Sequence, residues 1–358
     1  MSRHHDVRNL ELIATLAELY RARLSVALAG ARDVAVLDFP NYPNVGDSLI
    51  WLGQLAALRA LDVRVAYRST AESFSWRQLE RRLSPEAPLL FSGGGNLGDL
   101  YPRIQSFRMR VLREGRNRRF IQLPQSIHFR SDAAAEQFFE VTREHPSCLL
   151  LVRDQESANL AANHSVRATL CPDAAFCFGP LPARQANRAV GLLLRTDDER
   201  ADHFGPLLAN SRGDAVDWIT VPHPGLQSFL YDLTFIASSR RSFPIVAPLL
   251  RPIYASLARA RLATGMDLLA RSEVLVTDRL HGHILATLMG IPHVLLDNSY
   301  GKLGRFHRDW TSASPYAFRA NVGESLEEVC MRARSAGDQA IAEGATGTVR
   351  QDSYREPF

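Results

Sequence analysis

The sequence predicts an α/β fold with mostly parallel sheets, repeated in two halves. Strands and helices alternate along residues 33–170, and such alternation produces parallel strands covered by helices. After a stretch at residues 178–187 that contains two prolines and a glycine, the same rhythm starts again. The 358-residue chain suits two domains better than one. We place an N-terminal domain at residues 1–180, a C-terminal domain at residues 181–343, and a flexible tail at residues 344–358.

The spacing of apolar residues assigns the elements of the first half. A helix that begins near Asp47 carries apolar residues at helical spacing, and short apolar runs between turn residues indicate buried strands. We predict strands at residues 33–38, 63–67, 88–91, 120–123 and 148–152. Further helices are predicted at residues 76–83, 101–113, 133–142 and 155–161.

The second half repeats this pattern around the stretch at residues 272–302. Its strands are predicted at residues 189–194, 216–221 and 274–276, with a buried run at 243–247 and helices at 228–238, 253–262 and 323–337. Another helix begins after Asp278, and Gly290 followed by Pro292 ends it. The start of such a helix favours anions, because its backbone N–H groups are unpaired and carry partial positive charge.

Composition limits the classes of function. Only one of the 42 basic residues, Lys302, is lysine, and the net charge of +4 is spread along the chain without an aromatic-interleaved basic face. We therefore expect no nucleic-acid partner. The four cysteines lack zinc spacing, which predicts buried thiols and no metal. The N-terminus reads as an amphipathic helix, and no apolar run reaches membrane-spanning length, so we expect a cytosolic protein.

Polar residues concentrate at the start of the helix after Asp278 and in the loop that follows it. Arg279 can grip a carboxylate or phosphate with its planar fork, and a histidine such as His281 can exchange a proton near neutral pH. An alternative reading pairs Arg279 with Asp278 and uses the histidines only to cap the helix. The candidates in this stretch are Arg279, Leu280, His281, His283, Asn298 and Lys302.

Three loops of the first half follow strands and open helices, where open α/β sheets bind ligands. In the loop at residues 41–48, Asp47 either caps the helix or binds a hydroxyl-rich substrate, and Asn44 joins it as a candidate. The glycine run before Asn96 allows close backbone approach or forms a plain tight turn. His128 is either a ligand contact or a surface residue. Arg153 ends a buried strand and points towards the same edge of the sheet.

Six motifs, taken together, resemble those of the polysaccharide pyruvyl transferases. They are NVGDSLIWLG, FSGGGNLGD, QLPQSIHF, VRDQES, CPDAAF and TDRLHGHILATLMGIPHVLLDNSYGK, and they span roughly residues 35–310. Members of this family transfer the pyruvyl group of phosphoenolpyruvate to a sugar as a cyclic ketal. They have two Rossmann-like domains in a glycosyltransferase-B-like arrangement. The resemblance therefore implies an interdomain cleft, with the donor in the second half and the acceptor side in the first.

The resemblance also implies roles for individual residues. The Arg-Leu-His motif, here Arg279 to His281, carries donor contacts, together with an arginine that matches Arg153. We add Asn298 and Lys302 on the donor side and expect His281, or else His283, to move the proton. The acceptor candidates are Asn44, Asp47, Asn96 and His128. No step of this chemistry requires a metal or an organic cofactor.

The expected partners are phosphoenolpyruvate and a hexose-containing glycan, carried on a lipid and modified at O4 and O6. A lipid-linked acceptor implies peripheral association with the inner membrane face. Two rivals are a glycosyltransferase with a nucleotide-sugar donor and a non-catalytic glycan-binding protein. The donor hypothesis requires Arg279 and the histidines to face an opening between the halves instead of lying buried in ion pairs.

Overall fold

The computed structural model of this chain describes residues 5–182, 186–196, 215–221, 247–297, 301–320 and 324–344. Within these residues the protein has two parallel sheets covered by helices, which confirms the predicted α/β class. Several predicted features lie outside the described residues. They are the helix at residues 228–238, the buried run up to residue 246, Asn298 and the tail beyond residue 344.

The first sheet has seven strands among the described residues. They are β1 (Asp33–Leu37), β2 (Arg64–Arg68), β3 (Leu89–Phe91), β4 (Gly94–Gly98), β5 (Phe120–His128), β6 (Cys148–Val152) and β7 (Ala168–Leu170). The order is β2-β1-β3-β5-β6-β7, and β4 pairs with β5. Every pair is parallel, so the carboxyl ends of the strands lie at one edge.

Side-chain caps fix where most helices of this half begin. The helices are α1 (Val7–Leu28), α2 (Val45–Ala60), α3 (Trp76–Glu80), α4 (Pro102–Glu114), α5 (Asp132–Glu144), α6 (Gln155–Asn163) and a 3-10 helix, Ala174–Phe178. Asn44 caps α2 by accepting from the Gly46 N–H at 2.9 Å. Such a cap contributes about 1 kcal/mol. The predicted cap at Asp47 is therefore wrong, and the carboxylate of Asp47 is available for another contact.

The second sheet is smaller and equally parallel. Its described strands are β8 (Arg188–Leu193), β9 (Ser272–Thr277), β10 (His293–Leu295) and β11 (Ala317–Arg319), in the order β11-β10-β9-β8. Its helices are α7 (Ala247–Ala270), α8 (Leu280–Leu288), α9 (Lys302–Phe306), which continues as a π turn, and α10 (Leu326–Gly344). β9 and α8 form the predicted strand and helix on either side of Asp278.

Two segments predicted as loops in the first half are strands. The glycine run continues into β4, and the residues after Leu123 continue β5. Pro124 lies where the register of β5 against β6 shifts, so its missing N–H does not interrupt the ladder. Gly98 has φ +142°, and a Cβ there would lie 1.7 Å from the carbonyl oxygen of His128. This strand pairing therefore requires glycine.

The strand predicted at residues 216–221 is reduced to one parallel bridge between Val216 and Leu193. Asp217 turns the chain, because its Oδ1 accepts from the Ile219 N–H at 3.2 Å and its carbonyl oxygen accepts from Thr220 Oγ1 at 2.8 Å. Local hydrogen bonding by an aspartate competes with strand pairing in this way.

Helix α1 contacts the layers of both sheets. Near its start, Asn9 Nδ2 donates to the carbonyl oxygen of Thr287 in α8 at 2.9 Å. At its end, the carbonyl oxygens of Ala27 and Leu28 accept from Arg119. One apolar core contains side chains of both sheets. The described parts of the two halves are therefore joined by continuous packing, whereas the domain boundaries stay a prediction.

A buried histidine pair lies between α8 and β10. His293 Nδ1 donates to the carbonyl oxygen of Ile291 at 2.7 Å, which leaves its Nε2 to accept from His283 Nδ1 at 2.6 Å. His283 Nε2 then accepts from Thr311 Oγ1 at 2.8 Å. These bonds assign both rings the neutral Nδ1–H tautomer. Burial lowers the pKa of His293 to about 4 and that of His283 well below its ordinary value.

We expect this pair to make the free energy of unfolding depend on pH. Between about pH 6.5 and pH 4 the unfolded chain binds protons that the folded rings exclude. Each histidine therefore lowers the free energy of unfolding by roughly 1.4 kcal/mol for every pH unit that the pH falls. Urea titrations from pH 7.5 to pH 5 measure this slope. His293→Gln should reduce this slope by the roughly 1.4 kcal/mol per pH unit that one histidine contributes. Equal slopes in the wild type and His293→Gln would contradict the account.

Candidate active site

A pocket of about 320 Å³ lies where the carboxyl ends of strands from both sheets meet. Residues of β4 and the segments after β1, β4 and β6 line it on one side, and the segments after β8, β9 and β10 line it on the other. Its charged lining residues are Arg153, Arg195, Arg279, Lys302, Asp47 and Asp278. Tyr42, Asn44, Asn96, Tyr101, Trp218, Leu280 and His281 complete most of the remaining wall. The lining thus carries more positive than negative charge.

Arg153, at the end of β6, is held by partners from two neighbouring segments. Its Nη1 donates to Asp173 Oδ2 at 2.7 Å, and its Nε donates to Ser126 Oγ at 2.9 Å. Both members of the Arg153–Asp173 pair are 1% exposed. The second amino group, Nη2, donates to no atom of the described residues and lies beside Gly95, where a Cβ would come within 2.9 Å of it. One arm of the fork is fixed and the other remains available to a ligand.

His281, in the first turn of α8, shares this carboxylate. Its Nε2 lies 3.3 Å from Asp173 Oδ2 and 3.5 Å from Arg153 Nη1. Burial raises the pKa of Asp173, but the charge and hydrogen bond of His281, with the charge of Arg153, outweigh burial and hold the net pKa well below its ordinary value. Asp173 therefore stays ionised, orients the imidazole and compensates positive charge on it.

Arg279 lies at the start of α8, on the second side of the pocket. Its Nη2 forms a buried ion pair with Asp217 Oδ2, and its guanidinium lies 5.8 Å from the ring centre of Trp218. Its Nε is buried without a hydrogen-bond partner among the described residues. The alternative pairing of Arg279 with Asp278 is wrong, because Asp278 Oδ1 accepts from the backbone N–H of Arg195 at 2.8 Å instead.

Arg153 and Arg279 both form buried ion pairs, and for Arg279 this is the arrangement that the donor hypothesis was said to exclude. Both side chains nevertheless line the pocket. Each pair uses one amino group of a fork with five N–H donors. The carboxylates Asp173 and Asp217 thus hold the two guanidiniums in fixed orientations while N–H groups remain for a ligand. Such preorganisation lowers the cost of binding an anion.

Asn96 offers a donor to the pocket. Groups that can only donate set the orientations of two side-chain amides: Arg108 Nη2 donates to Asn96 Oδ1 at 3.1 Å, and the backbone N–H of Asn96 donates to Gln125 Oε1 at 3.2 Å. Gln125 Nε2 then donates to the same Asn96 Oδ1 at 2.9 Å. Because its oxygen accepts twice, Asn96 presents its NH2 group to the pocket.

Lys302 completes a group of donors around Gly95. A Cβ on Gly95 would lie 2.8 Å from Lys302 Nζ, so the ammonium lies next to Nη2 of Arg153. Asp297 Oδ1 accepts from the N–H groups of Leu303 and Gly304, each at 3.1 Å, and fixes the start of α9. The same segment is tied to the first sheet, because Trp310 Nε1 donates to the carbonyl oxygen of Arg153 at 2.8 Å.

The start of α2 forms the wall next to His281. A Cβ on Gly46 would lie 2.7 Å from Cβ, Cγ and Nδ1 of His281. The glycine of the NVGD motif therefore leaves room for the imidazole. Asp47, the next residue, lines the pocket together with Tyr42.

We expect Gly46→Ala to lower turnover at least about tenfold, because the new methyl group displaces His281, and a shift of about 1 Å in catalytic geometry costs on the order of 100-fold. Steady-state phosphate release measures the loss. Gly115→Ala is the matched control, since its Cβ would clash with Trp76 and Phe120, away from the pocket. It should lose stability but keep its turnover per folded molecule. Equal turnover in both variants would show that Gly46 does not position His281.

Some predicted site residues do not line this pocket. His283 is fully buried and both of its ring nitrogens are bonded in the histidine pair, so we leave it out of the proposed chemistry. His128 ends β5 and pairs with Gly98. Asn298 lies outside the described residues. The pocket does bring together Asn44, Asp47, Asn96, Arg153, Arg279, Leu280, His281 and Lys302.

Several residues that shape the site were not among the predicted candidates. Asp173 is one, although its place in the CPDAAF motif was a usable signal. Asp217 and Trp218 gave no signal, since they lie within what reads as an ordinary strand. Tyr42 stood among loop residues and Tyr101 at the start of a predicted helix, and their place at the site depends on the packing of distant segments.

The fold and the pocket define an α/β protein with an anion-binding site between two parallel sheets. The profile of the polysaccharide pyruvyl transferase family matches residues 44–300. "Pyruvyl transferase 1" of Schizosaccharomyces pombe is 34% identical over 304 residues, which cover 79% of this chain and 70% of that one. The chain belongs to the polysaccharide pyruvyl transferase family, and it is a pyruvyltransferase.

Other similarities agree with this assignment. The "Putative pyruvyl transferase EpsO" of Bacillus subtilis is 28% identical over 292 residues, which cover 79% of this chain and 87% of that one. A crystal structure of a functionally uncharacterised Klebsiella pneumoniae protein has a TM-score of 0.57 at 17% identity and covers 86% of this chain and 99% of the other. At that identity the match supports the fold alone.

Proposed function

We propose that the pocket binds phosphoenolpyruvate and transfers its pyruvyl group to two hydroxyls of a hexose, forming a cyclic ketal. The observation that carries the proposal is the set of fixed cationic donors around His281. Arg153 Nη2 and Lys302 Nζ meet at Gly95, and Arg279 lies on the other side of the start of α8. A three-carbon ester with a carboxylate and a phosphate needs two such anion-binding groups.

The size of the pocket supports a small donor. Its volume of about 320 Å³ is at the lower end of the usual range for ligand pockets, about 300–1,000 Å³. Asn96 adds an N–H donor that suits either a phosphate oxygen or a sugar oxygen. Asn44 and Asp47 belong to the acceptor side in this proposal, and the two halves take the roles expected of a glycosyltransferase-B-like arrangement.

The chemistry assigns a role to each group. His281 protonates the methylene carbon of the enol, which leaves positive charge at C2, and a sugar hydroxyl attacks that carbon. The second hydroxyl then displaces the phosphate and closes the ring. Arg153 and Lys302 stabilise the charge on the departing phosphate. The proposed steps call for no metal ion and no organic cofactor.

We propose a terminal hexose of an exopolysaccharide or cell-surface glycan as the acceptor, modified at O4 and O6 while the glycan is carried on a lipid. A cytoplasmic enzyme that associates peripherally with the inner membrane face would meet such an acceptor. The family name and the names of the relatives support a polysaccharide acceptor. In the part of the chain that the structure describes, no helix combines the length and apolarity needed to span a membrane.

The test is incubation of the purified protein with phosphoenolpyruvate and a panel of hexosides. We expect phosphate release together with a pyruvate-sized gain in the mass of one acceptor. A parallel thermal-shift series compares phosphoenolpyruvate with UDP- and GDP-sugars, and only phosphoenolpyruvate should raise the melting temperature. Stabilisation by a nucleotide sugar alone, without phosphate release from phosphoenolpyruvate, would contradict the proposal.

A further inference from the structure

The inference concerns the proton balance at the acceptor side of the pocket, and it rests on the proposed function. Ketal formation makes two C2–O bonds and breaks the bond from C2 to the phosphate oxygen. The two acceptor hydroxyls lose two protons, whereas the methyl carbon gains one and the released phosphate carries the other. His281 accounts for delivery to carbon, and a base beside the attacking hydroxyl would take its proton before that proton passes to the phosphate.

Asp47 has the placement that such a base requires. It lies one residue after Gly46, against which His281 packs, and its Oδ1 would lie 3.5 Å from a Cβ on Gly94. The hydrogen-bond donors around Gly95, which are Arg153 Nη2 and Lys302 Nζ, lie one residue further along β4. The carboxylate therefore lines the pocket between the proposed proton donor and the cationic group. Since Asn44 caps α2, Asp47 is not needed for that task.

We propose that Asp47 is the base that removes acceptor hydroxyl protons. Its carboxylate lines the pocket together with Tyr42 and Asn44, on the side that the proposed function gives to the acceptor.

Asp47→Asn tests the base directly, because the substitution preserves shape and removes the charge. We expect the dissociation constant for phosphoenolpyruvate and the acceptor KM to change less than about threefold, while kcat falls at least about 100-fold. Calorimetry measures donor binding and phosphate release measures kcat. An unchanged kcat, or a rise in acceptor KM alone, would overturn the inference by making Asp47 a mere contact.

Thermal unfolding confirms that Asp47→Asn folds. A wild type that binds no phosphoenolpyruvate would overturn the proposed function and this inference together. A wild type that turns over, beside a fully active Asp47→Asn, would overturn this inference alone.

Discussion

Replacing His281 with Gln should lower turnover by about 100- to 10,000-fold, the range expected for loss of a positioned proton donor. The affinity for phosphoenolpyruvate should change only a few-fold, because the anion contacts come from Arg153, Arg279 and Lys302. Steady-state phosphate release gives kcat, and calorimetry on the same protein gives the dissociation constant of the donor. A loss confined to affinity would reassign His281 to binding.

The matched control lies two residues further along α8. His283→Gln removes an imidazole from the same helix, but this ring is buried and bonded to His293 and Thr311. We expect lower thermal stability and unchanged kcat per folded molecule. Comparable losses of kcat in the two variants would show that the helix as a whole, and not the ring of His281, supports catalysis.

Replacing Arg153 with Met should weaken phosphoenolpyruvate binding at least about 100-fold, since truncating one partner of a buried charge pair costs 2–5 kcal/mol. The same change leaves Asp173 buried without its cation, which destabilises the fold by roughly 3–5 kcal/mol. Calorimetry and urea unfolding measure the two losses separately. The surface control Arg143→Met breaks an exposed pair with Glu136 and should cost less than about 1 kcal/mol.

A double variant separates binding from stability. Adding Asp173→Asn to Arg153→Met removes the stranded charge, so much of the stability should return while donor binding stays weak. Recovery of binding together with stability would mean that Arg153 acts only through the fold. Such a result would remove the strongest cation from the proposed donor site.

Much of the fold was predictable because apolar spacing and the positions of strands report burial directly. The alternation of β and α elements and the helix after Asp278 are examples. The glycine run was misread as a loop, because glycine has no apolar side chain to signal a strand and its pairing with β5 shifts register between Gly94 and Leu97. Asp217 was misread because its local hydrogen bonds with Ile219 and Thr220 override strand propensity.

The site was predictable where one stretch carries the chemistry and unpredictable where distant residues complete it. Arg279, His281 and Lys302 stand in one stretch, and the structure places all three at the pocket. The same stretch contains His283, and only packing shows that this ring faces the core. The carboxylates that orient the cations, Asp173 and Asp217, lie 108 residues before His281 and 62 residues before Arg279. No local pattern connects them.

The central claim is that phosphoenolpyruvate occupies the pocket between the two sheets, and the structure of that complex tests it most directly. We predict one anionic group of the donor within about 3 Å of Arg153 Nη2 and Lys302 Nζ, the other at Arg279, and the methylene carbon facing His281. Donor bound elsewhere on the molecule, or an empty pocket at saturating phosphoenolpyruvate, would contradict the account.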